Sequence, residues 1–490
     1  MIDEKQISEL VRSVLEGKIG SEQPAAQKAV IEEKTVSTAQ TSGRKQLGVF
    51  ETMEEALDAC NKAYTLFRNY NKEQRENIIT EIRKLTHAEA EIMGKLGVED
   101  TKMGNAYHKT LKHHLVADKT PGTEDLTTTA WSGDRGLTLI EQAPYGIIGA
   151  ITPSTNPSET VICNSIGMLA AGNGVVFNPH PHAKIISRYA VDLVNRAVLA
   201  AGGPENIVCT VANPTLQTSD IMVKSPLVKM LVCTGGPGVV KMLLSSGKKA
   251  IGAGAGNPPV IVDETADIPK AGKDIIDGCT FDNNLPCIAE KEVFALRPIA
   301  DELIHYMIKA GSYLINDEQV AQLEKIVLKE VPPKNPGDKP KKVINKDFVG
   351  RDAKKILAQI GIQADDNIRC IICETEFSHP FVQTEMMMPI LPIVRVDNFD
   401  DAVEMAVKAE HGNRHTAHLH SKNVDHMTQY AKAICTTIFV KNAPSYAGIG
   451  FNSEGHTTFT IAGPTGEGLT SAKSFTRSRR CVLVDSLSII

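Results

Sequence analysis

Between residues 146 and 233 short apolar runs alternate with longer amphipathic ones, and this alternation restricts the fold more than any other feature of the chain. Strands are predicted over 146–151, 175–178, 207–211 and 228–233, with helices over 158–171, 183–201 and 218–223 between them. Repeated strand–helix units build a parallel sheet covered by helices on both faces, so the predicted class is α/β. Ligands of such sheets gather beyond the carboxyl ends of the strands. Those ends read Thr152-Pro153-Ser154-Thr155-Asn156-Pro157, Asn178-Pro179-His180-Pro181 and Thr234-Gly235-Gly236-Pro237-Gly238. The last is glycine-rich and enters a helix, which suits a dinucleotide pyrophosphate held by backbone N–H groups. It is not a GxGxxG sequence, and glycine also serves strand–helix turns that hold nothing.

At 490 residues the chain is too long for one core. A second glycine run, Gly252-Ala253-Gly254-Ala255-Gly256-Asn257-Pro258, precedes a strand over 260–262. Glycine there permits close approach of backbone to a ligand. From 263 to 440 helices again mix with strands, over 292–296, 368–373 and 393–396, which predicts a second α/β domain. Helices are predicted ahead of the first domain over 53–68 and 72–86. Residues 126–131 and 136–141, joined by Ser132-Gly133-Asp134-Arg135, read as a hairpin arm. The Lys- and Pro-rich stretch 329–342 reads as a surface loop.

Cys287 is the candidate nucleophile. It follows Asp282-Asn283-Asn284-Leu285-Pro286, a polar turn, and precedes a strand. A cysteine there can sit partly exposed among backbone N–H groups that favour the thiolate, the form that attacks carbonyls. The alternative is an inert core thiol, since free cysteine is among the most buried residue types. Ten cysteines are scattered without the pattern of a disulfide framework, which fits a reducing cytoplasm. Cys370 and Cys373 have CxxC spacing but fall in an apolar strand, where residues three apart face opposite sides, so they read as core. His411, His415, His418 and His420 lack the cysteine or carboxylate that would complete a metal site, and no metal is expected.

A formal net charge of -5 offers no basic surface for nucleic acid. No apolar run is long enough to cross a bilayer, and no signal-peptide layout opens the chain. Residues 1–18 carry Ile7, Leu10, Val11, Val14 and Leu15 on one face of a predicted amphipathic helix. Residues 19–46 are poor in apolar side chains and read as a flexible linker, so the helix is either a tethered docking element or packed on the body.

The ordered set Thr152–Pro157, Thr234-Gly235-Gly236, Gly252–Pro258, Cys287 and Thr384-Glu385-Met386-Met387-Met388-Pro389 resembles the aldehyde dehydrogenase superfamily. Residues 281–287 and 463–480 are most similar to its CoA-acylating branch, which acts on acetaldehyde, propionaldehyde and butyraldehyde. The resemblance implies a Rossmann-type nicotinamide domain (47–125 and 144–252), a catalytic domain (253–447) and a β oligomerisation arm (126–143 and 463–490). It implies Cys287 as nucleophile and Asn156 as oxyanion donor together with the Cys287 N–H. Cofactor contacts are implied for Thr152, Pro153, Ser154, Asn178, His180, Thr234, Gly235, Gly236 and Glu385, the last at the nicotinamide ribose. The cofactor would be NAD, with NADP as the alternative, and coenzyme A the co-substrate. A dimer or tetramer is implied, as is encapsulation in a bacterial microcompartment through residues 1–18, which would bind the shell or a partner enzyme.

Two departures from the hydrolysing branch bear on chemistry. Asn178-Pro179-His180-Pro181 stands where that branch grips the adenosine ribose with a lysine and a glutamate. Residues 252–257 hold no carboxylate to activate water, whereas a thiol needs less help as second nucleophile. A hydrolysing dehydrogenase, an acyl-phosphate reductase and a cysteine acyltransferase are the rival readings.

Overall fold

The computed structural model describes residues 45–332 and 341–489. The helix expected over 1–18, and the linker after it up to residue 44, lie outside them.

After a two-residue strand β1 (Val49–Phe50), three helices lead into the body: α1 (Met53–Phe67), α2 (Lys72–Thr101) and α3 (Ala106–Lys119). The first two open on capping boxes, Thr52 with Glu55 and Asn71 with Gln74, each satisfying two otherwise unpaired N–H groups. A hairpin, β2 (Thr129–Gly133) and β3 (Gly136–Pro144), follows. The alternation then runs β4 (Ile147–Thr152), α4 (Pro157–Ala170), β5 (Gly174–Pro179), α5 (Lys184–Ala200), β6 (Val208–Val211), α6 (Leu216–Lys224), β7 (Val228–Thr234), α7 (Pro237–Leu244) and β8 (Lys249–Ala253).

These strands form one parallel sheet in the order β1-β6-β5-β4-β7-β8. Every residue of β4 and β5 is buried, as a sheet covered on both faces requires. The chain runs outward from β4 through β5 to β6, then crosses back to place β7 on the other side of β4. That reversal opens a crevice at the carboxyl ends of β4 and β7.

A second, seven-stranded parallel sheet follows from β9 (Pro259–Val262), β10 (Glu292–Leu296), β11 (Ser312–Ile315), β14 (Cys370–Glu374), β15 (Ile390–Val396), β16 (Thr416–His420) and β17 (Ile438–Lys441), in the order β11-β14-β15-β10-β9-β16-β17. Helix α8 (Ile268–Thr280) packs on it. Cys370 lies against α8, with its sulfur 3.8 Å from that of Cys279, and Cys373 enters the core on the other side of the sheet. Among the described residues no three His, Cys, Asp or Glu side chains form a metal-holding group.

The expected surface loop over 329–342 is in part a hairpin. Strand β12 (Leu328–Val331) pairs antiparallel with β13 (Lys341–Ile344), and residues 333–340 are outside the described set. Short strands β18 (Ile461–Ala462) and β19 (Gly468–Leu469) precede the last strand, β20 (Thr476–Val484), which pairs with β3 along its full length. This three-stranded sheet exposes Trp131, Val482, Leu483 and Val484, and Arg477, Arg479 and Arg480 lie along its exposed edge strand. No helix among the described residues is long and apolar enough to cross a membrane.

Candidate active site

The two sheets meet at a cavity of about 720 Å³. The first sheet contributes the carboxyl ends of β4 (Pro153, Ser154, Asn156), β5 (His180) and β7 (Thr234, Gly235, Gly236). The second contributes segments that enter its strands: Gly254 and Ala255 before β9, Cys287 before β10 and Glu385 before β15. Nine of the residues singled out from the sequence thus line one space. Thr152 and Asn178 do not. The Thr152 side chain is buried. Asn178 is turned into the domain, where its Nδ2 donates to Ser219 Oγ (2.6 Å) and its Oδ1 accepts from Thr218 Oγ (2.7 Å), fastening the start of α6.

Cys287 is half-buried on a turn closed by the Ala289 N–H donating to the Pro286 carbonyl (3.0 Å). Gly256 makes the approach of the second glycine run possible, because a Cβ there would lie 2.8 Å from the Cys287 carbonyl oxygen. Burial first, and then the Glu385 carboxylate, push the Cys287 thiol up to about 12, while Lys291 and the N–H groups of Cys287 and Ile288 pull it down. The Lys291 ammonium is itself fully buried and held by Asn284 Oδ1 (2.8 Å) and the carbonyls of Asn284 and Pro286 (3.3 Å each).

The approach to this turn is strained. Asp282, Asn283 and Asn284 adopt left-handed conformations in succession (φ 49°, 55° and 67°). Asp and Asn tolerate that region best, yet each such residue costs of order 1 kcal/mol and persists only where its surroundings hold it. All three are anchored by their side chains. Asp282 accepts from the Asn105 N–H (2.7 Å), Lys109 (3.0 Å) and Lys112 (2.7 Å). Asn283 donates to the Gly350 carbonyl and Asp352, and Asn284 to the carbonyls of Cys279 and Glu290.

Lys109 and Lys112 were missed by pattern reading, because α3 carries Lys109, Lys112 and His113 at helical spacing, which resembles a solvated face. All three are buried. Their partners Asp282 and Glu159 come from elsewhere in the chain, and nothing local signals the pairing. At Lys112 burial opposes the charge, but Asp282 and Glu159 outweigh it and hold the ammonium's pKa up.

The cavity fits a dinucleotide. A Cβ at Gly236 would meet no protein atom within 4 Å, so the backbone at the start of α7 is open to a ligand. Gly236 caps that eight-residue helix without any side-chain hydrogen bond; Pro237 has no N–H and the Val239 and Val240 N–H groups turn to the Gly236 carbonyl, so the Gly238 N–H is what the first turn offers an anion. Burial raises the Glu385 carboxyl to about 7, with Lys291 and the Gly256 N–H pulling the other way, as for an acceptor kept for a ligand hydroxyl. The carboxylates lining the cavity are Asp100, Asp347 and Glu385, and Asp100 is engaged by the N–H groups of Ile185 and Ile186.

The aldehyde dehydrogenase family model matches residues 23–326. Acetaldehyde dehydrogenase (acetylating) EutE of Salmonella typhimurium is 45% identical over 94% of this chain and 98% of its own length. A propionaldehyde dehydrogenase from the fucose utilisation bacterial microcompartment of Clostridium phytofermentans superposes with a TM-score of 0.87 at 60% identity, covering 91% of this chain and all of that one. The propionaldehyde dehydrogenase of Rhodopseudomonas palustris, solved with bound CoA and an acylated cysteine, gives a TM-score of 0.86 at 53% identity over 90% of this chain and 99% of its own.

Proposed function

The chain belongs to the aldehyde dehydrogenase family, and from that premise we propose that it is the CoA-acylating kind, oxidising a short aliphatic aldehyde, propionaldehyde foremost, to its acyl-CoA. The observation that carries the reading is the composition of the cavity wall: Cys287 shares one cavity with the carboxyl ends of β4, β5 and β7, and the second glycine run, residues 252–257, supplies no carboxylate to activate water.

The Cys287 thiolate adds to the aldehyde carbonyl, forming a C–S bond and an alkoxide. Asn156 Nδ2 and the Cys287 N–H donate to that oxygen, and one such donor contributes roughly 3 kcal/mol in other enzymes. The β4, β5 and β7 ends and Glu385 would hold NAD or NADP, which when bound would accept the hydride that the alkoxide loses as it becomes a thioester. Burial pulls the Lys291 ammonium's pKa down, its hydrogen bonds to Asn284 and Pro286 hold it in place, and its charge favours the Cys287 thiolate. The CoA thiol, deprotonated, then adds to the thioester carbonyl and expels the Cys287 thiolate, giving acyl-CoA by a ping-pong route. Steady NADH production that requires CoA, with acyl-CoA as product, is the expected result. Equal rates without CoA and release of the free acid would overturn it.

The exposed β2-β3-β20 sheet, with its apolar Trp131, Val482 and Val484, supports assembly into a homo-oligomer. Residues 1–18 fit a tether that takes the enzyme into a bacterial microcompartment, by docking an amphipathic face on a shell or partner-enzyme helix. Removing residues 1–19 should leave turnover unchanged, while a fluorescent protein carrying that segment should co-localise with shells. Diffuse fluorescence or an inactive truncated enzyme would contradict the tether.

A further inference from the structure

Asn156 makes a useful oxyanion donor only if its carboxamide is turned the right way round, and the two ends of a carboxamide are nearly isosteric. One end carries two N–H donors and the other a carbonyl acceptor. The neighbour that decides between them is Lys112. Its ammonium has three donors and no acceptor, and it lies 2.5 Å from Asn156 Oδ1, 2.7 Å from Asp282 Oδ2 and 2.7 Å from Glu159 Oε1. Only the amide oxygen can face it.

The same ammonium hydrogen-bonds Asn156 and Asp282, is ion-paired with Glu159 and shows no exposed surface, which holds it in place. Phe459, which lines the cavity, sits 5.9 Å from it. Asn156 itself lines the cavity with only 6% of its surface exposed. Among the described residues its Nδ2 has no closer hydrogen-bond partner than Thr155 Oγ, at 3.4 Å. With the oxygen held by a cation, the N–H bonds opposite are polarised further, as in any chain of cooperative hydrogen bonds.

We propose that Lys112 is a positioning residue for acyl transfer: through its contact with Asn156 Oδ1 it presents Asn156 Nδ2 to the alkoxide that forms on the Cys287 adduct. The same ammonium also bonds Asp282, but Asp282 keeps the Asn105 N–H and Lys109 as partners without it, so the strained approach to the nucleophile turn is held independently of Lys112. The inference rests on the reading of Asn156 as oxyanion donor given above.

The test compares two reactions of Cys287 in the full-length enzyme. Hydride transfer, followed as the single-turnover burst of NADH at saturating aldehyde and NAD, passes through an alkoxide. Alkylation by iodoacetamide forms a C–S bond by displacing iodide and makes no oxyanion. The charges that shift the Cys287 thiol are those of Glu385 and Lys291, so removing Lys112 should spare alkylation. Lys112→Met should slow the burst on the order of 100-fold while alkylation stays within about twofold of the native rate. Should the single variant not fold, Lys112→Met with Glu159→Gln removes one charge of each sign and gives the same comparison, and Glu159→Gln alone, which keeps the Lys112–Asn156 contact, should retain most of the burst. An undiminished burst, or burst and alkylation falling together, overturns the proposal. Asn156→Ala separates the two readings: if it leaves the burst intact, the donor role of Asn156 is wrong, whereas a slow Asn156→Ala burst beside an unchanged Lys112→Met burst defeats the role of Lys112 alone.

Discussion

A Cβ placed on Gly256 would lie 2.8 Å from the carbonyl oxygen of Cys287 and 2.9 Å from Cγ of the buried His415 ring. Neither neighbour is the free end of a flexible side chain, so Gly256→Ala must move the nucleophile turn or the strand entry behind it. Overpacking of this kind costs about 1–3 kcal/mol. The variant should melt several degrees lower and lose most of its NADH burst, while CoA and NAD still raise its melting temperature. A fully active variant would show that the close approach is not what places Cys287.

Glu385 gives the cavity a pH dependence. Its carboxyl titrates at about 7, raised by burial, so it is protonated below that value and a full acceptor above it. The KM for NAD should therefore fall as pH rises from 6 to 8, reading that range as roughly one unit either side of the titration. Glu385→Gln should flatten this profile. It should also quicken iodoacetamide alkylation of Cys287, because the carboxylate that raises the thiol is gone. A profile that survives the substitution would assign the titration to another group.

Much of this cavity was legible in the sequence because its parts lie at the ends of locally patterned elements. Apolar runs marked β4, β5 and β7, and turn residues after them marked Ser154, Asn156 and Gly235. Cys287 stood out because proline and three polar residues precede it. What escaped was information carried only by tertiary partners. Helix α2 runs to Thr101, well past the expected end at residue 86, because Ala90, Met93 and Gly97 bury a face whose apolar pattern is thin. Helix α3 went unassigned altogether. Asn178 and Thr152 were expected at the cofactor, yet Asn178 turns to Ser219 and Thr218 of α6, and Thr152, one step along the register and so on the opposite face of the sheet, is buried.

The second glycine run tests why water is not the second nucleophile. Gly254 lines the cavity, and a Cβ there would meet only Pro464 Cγ, at 3.3 Å, whereas Ala253 is buried in β8. Gly254→Glu is thus the substitution that puts a carboxylate beside the thioester. It should add acid release in the absence of CoA, measured as NADH formed beyond one turnover. A folded Gly254→Glu enzyme that still discharges only to CoA would show that a missing base does not explain the choice of nucleophile.

The buried carboxyl of Glu290 should shape stability. Burial raises it to about 8 from an ordinary 4.5, and its Oε1 accepts from the Ser445 N–H (2.8 Å). Between those values the folded chain holds a proton that the unfolded chain has released, so its contribution is intact below 4.5 and is lost as pH rises towards 8. Glu290→Gln, which keeps an acceptor for Ser445, should shrink the fall in melting temperature across that window. An unchanged slope would place the pH sensitivity elsewhere.

The central claim is that Cys287 carries an acyl group that waits for a thiol. Enzyme mixed with propionaldehyde and NAD, without CoA, should release one NADH per active site and stop, and its intact mass should rise by one propanoyl group located on Cys287. Adding CoA should remove the group and yield propanoyl-CoA, and Cys287→Ala should show neither burst nor adduct. Continuous NADH formation without CoA, or an adduct that maps to another residue, would contradict the account.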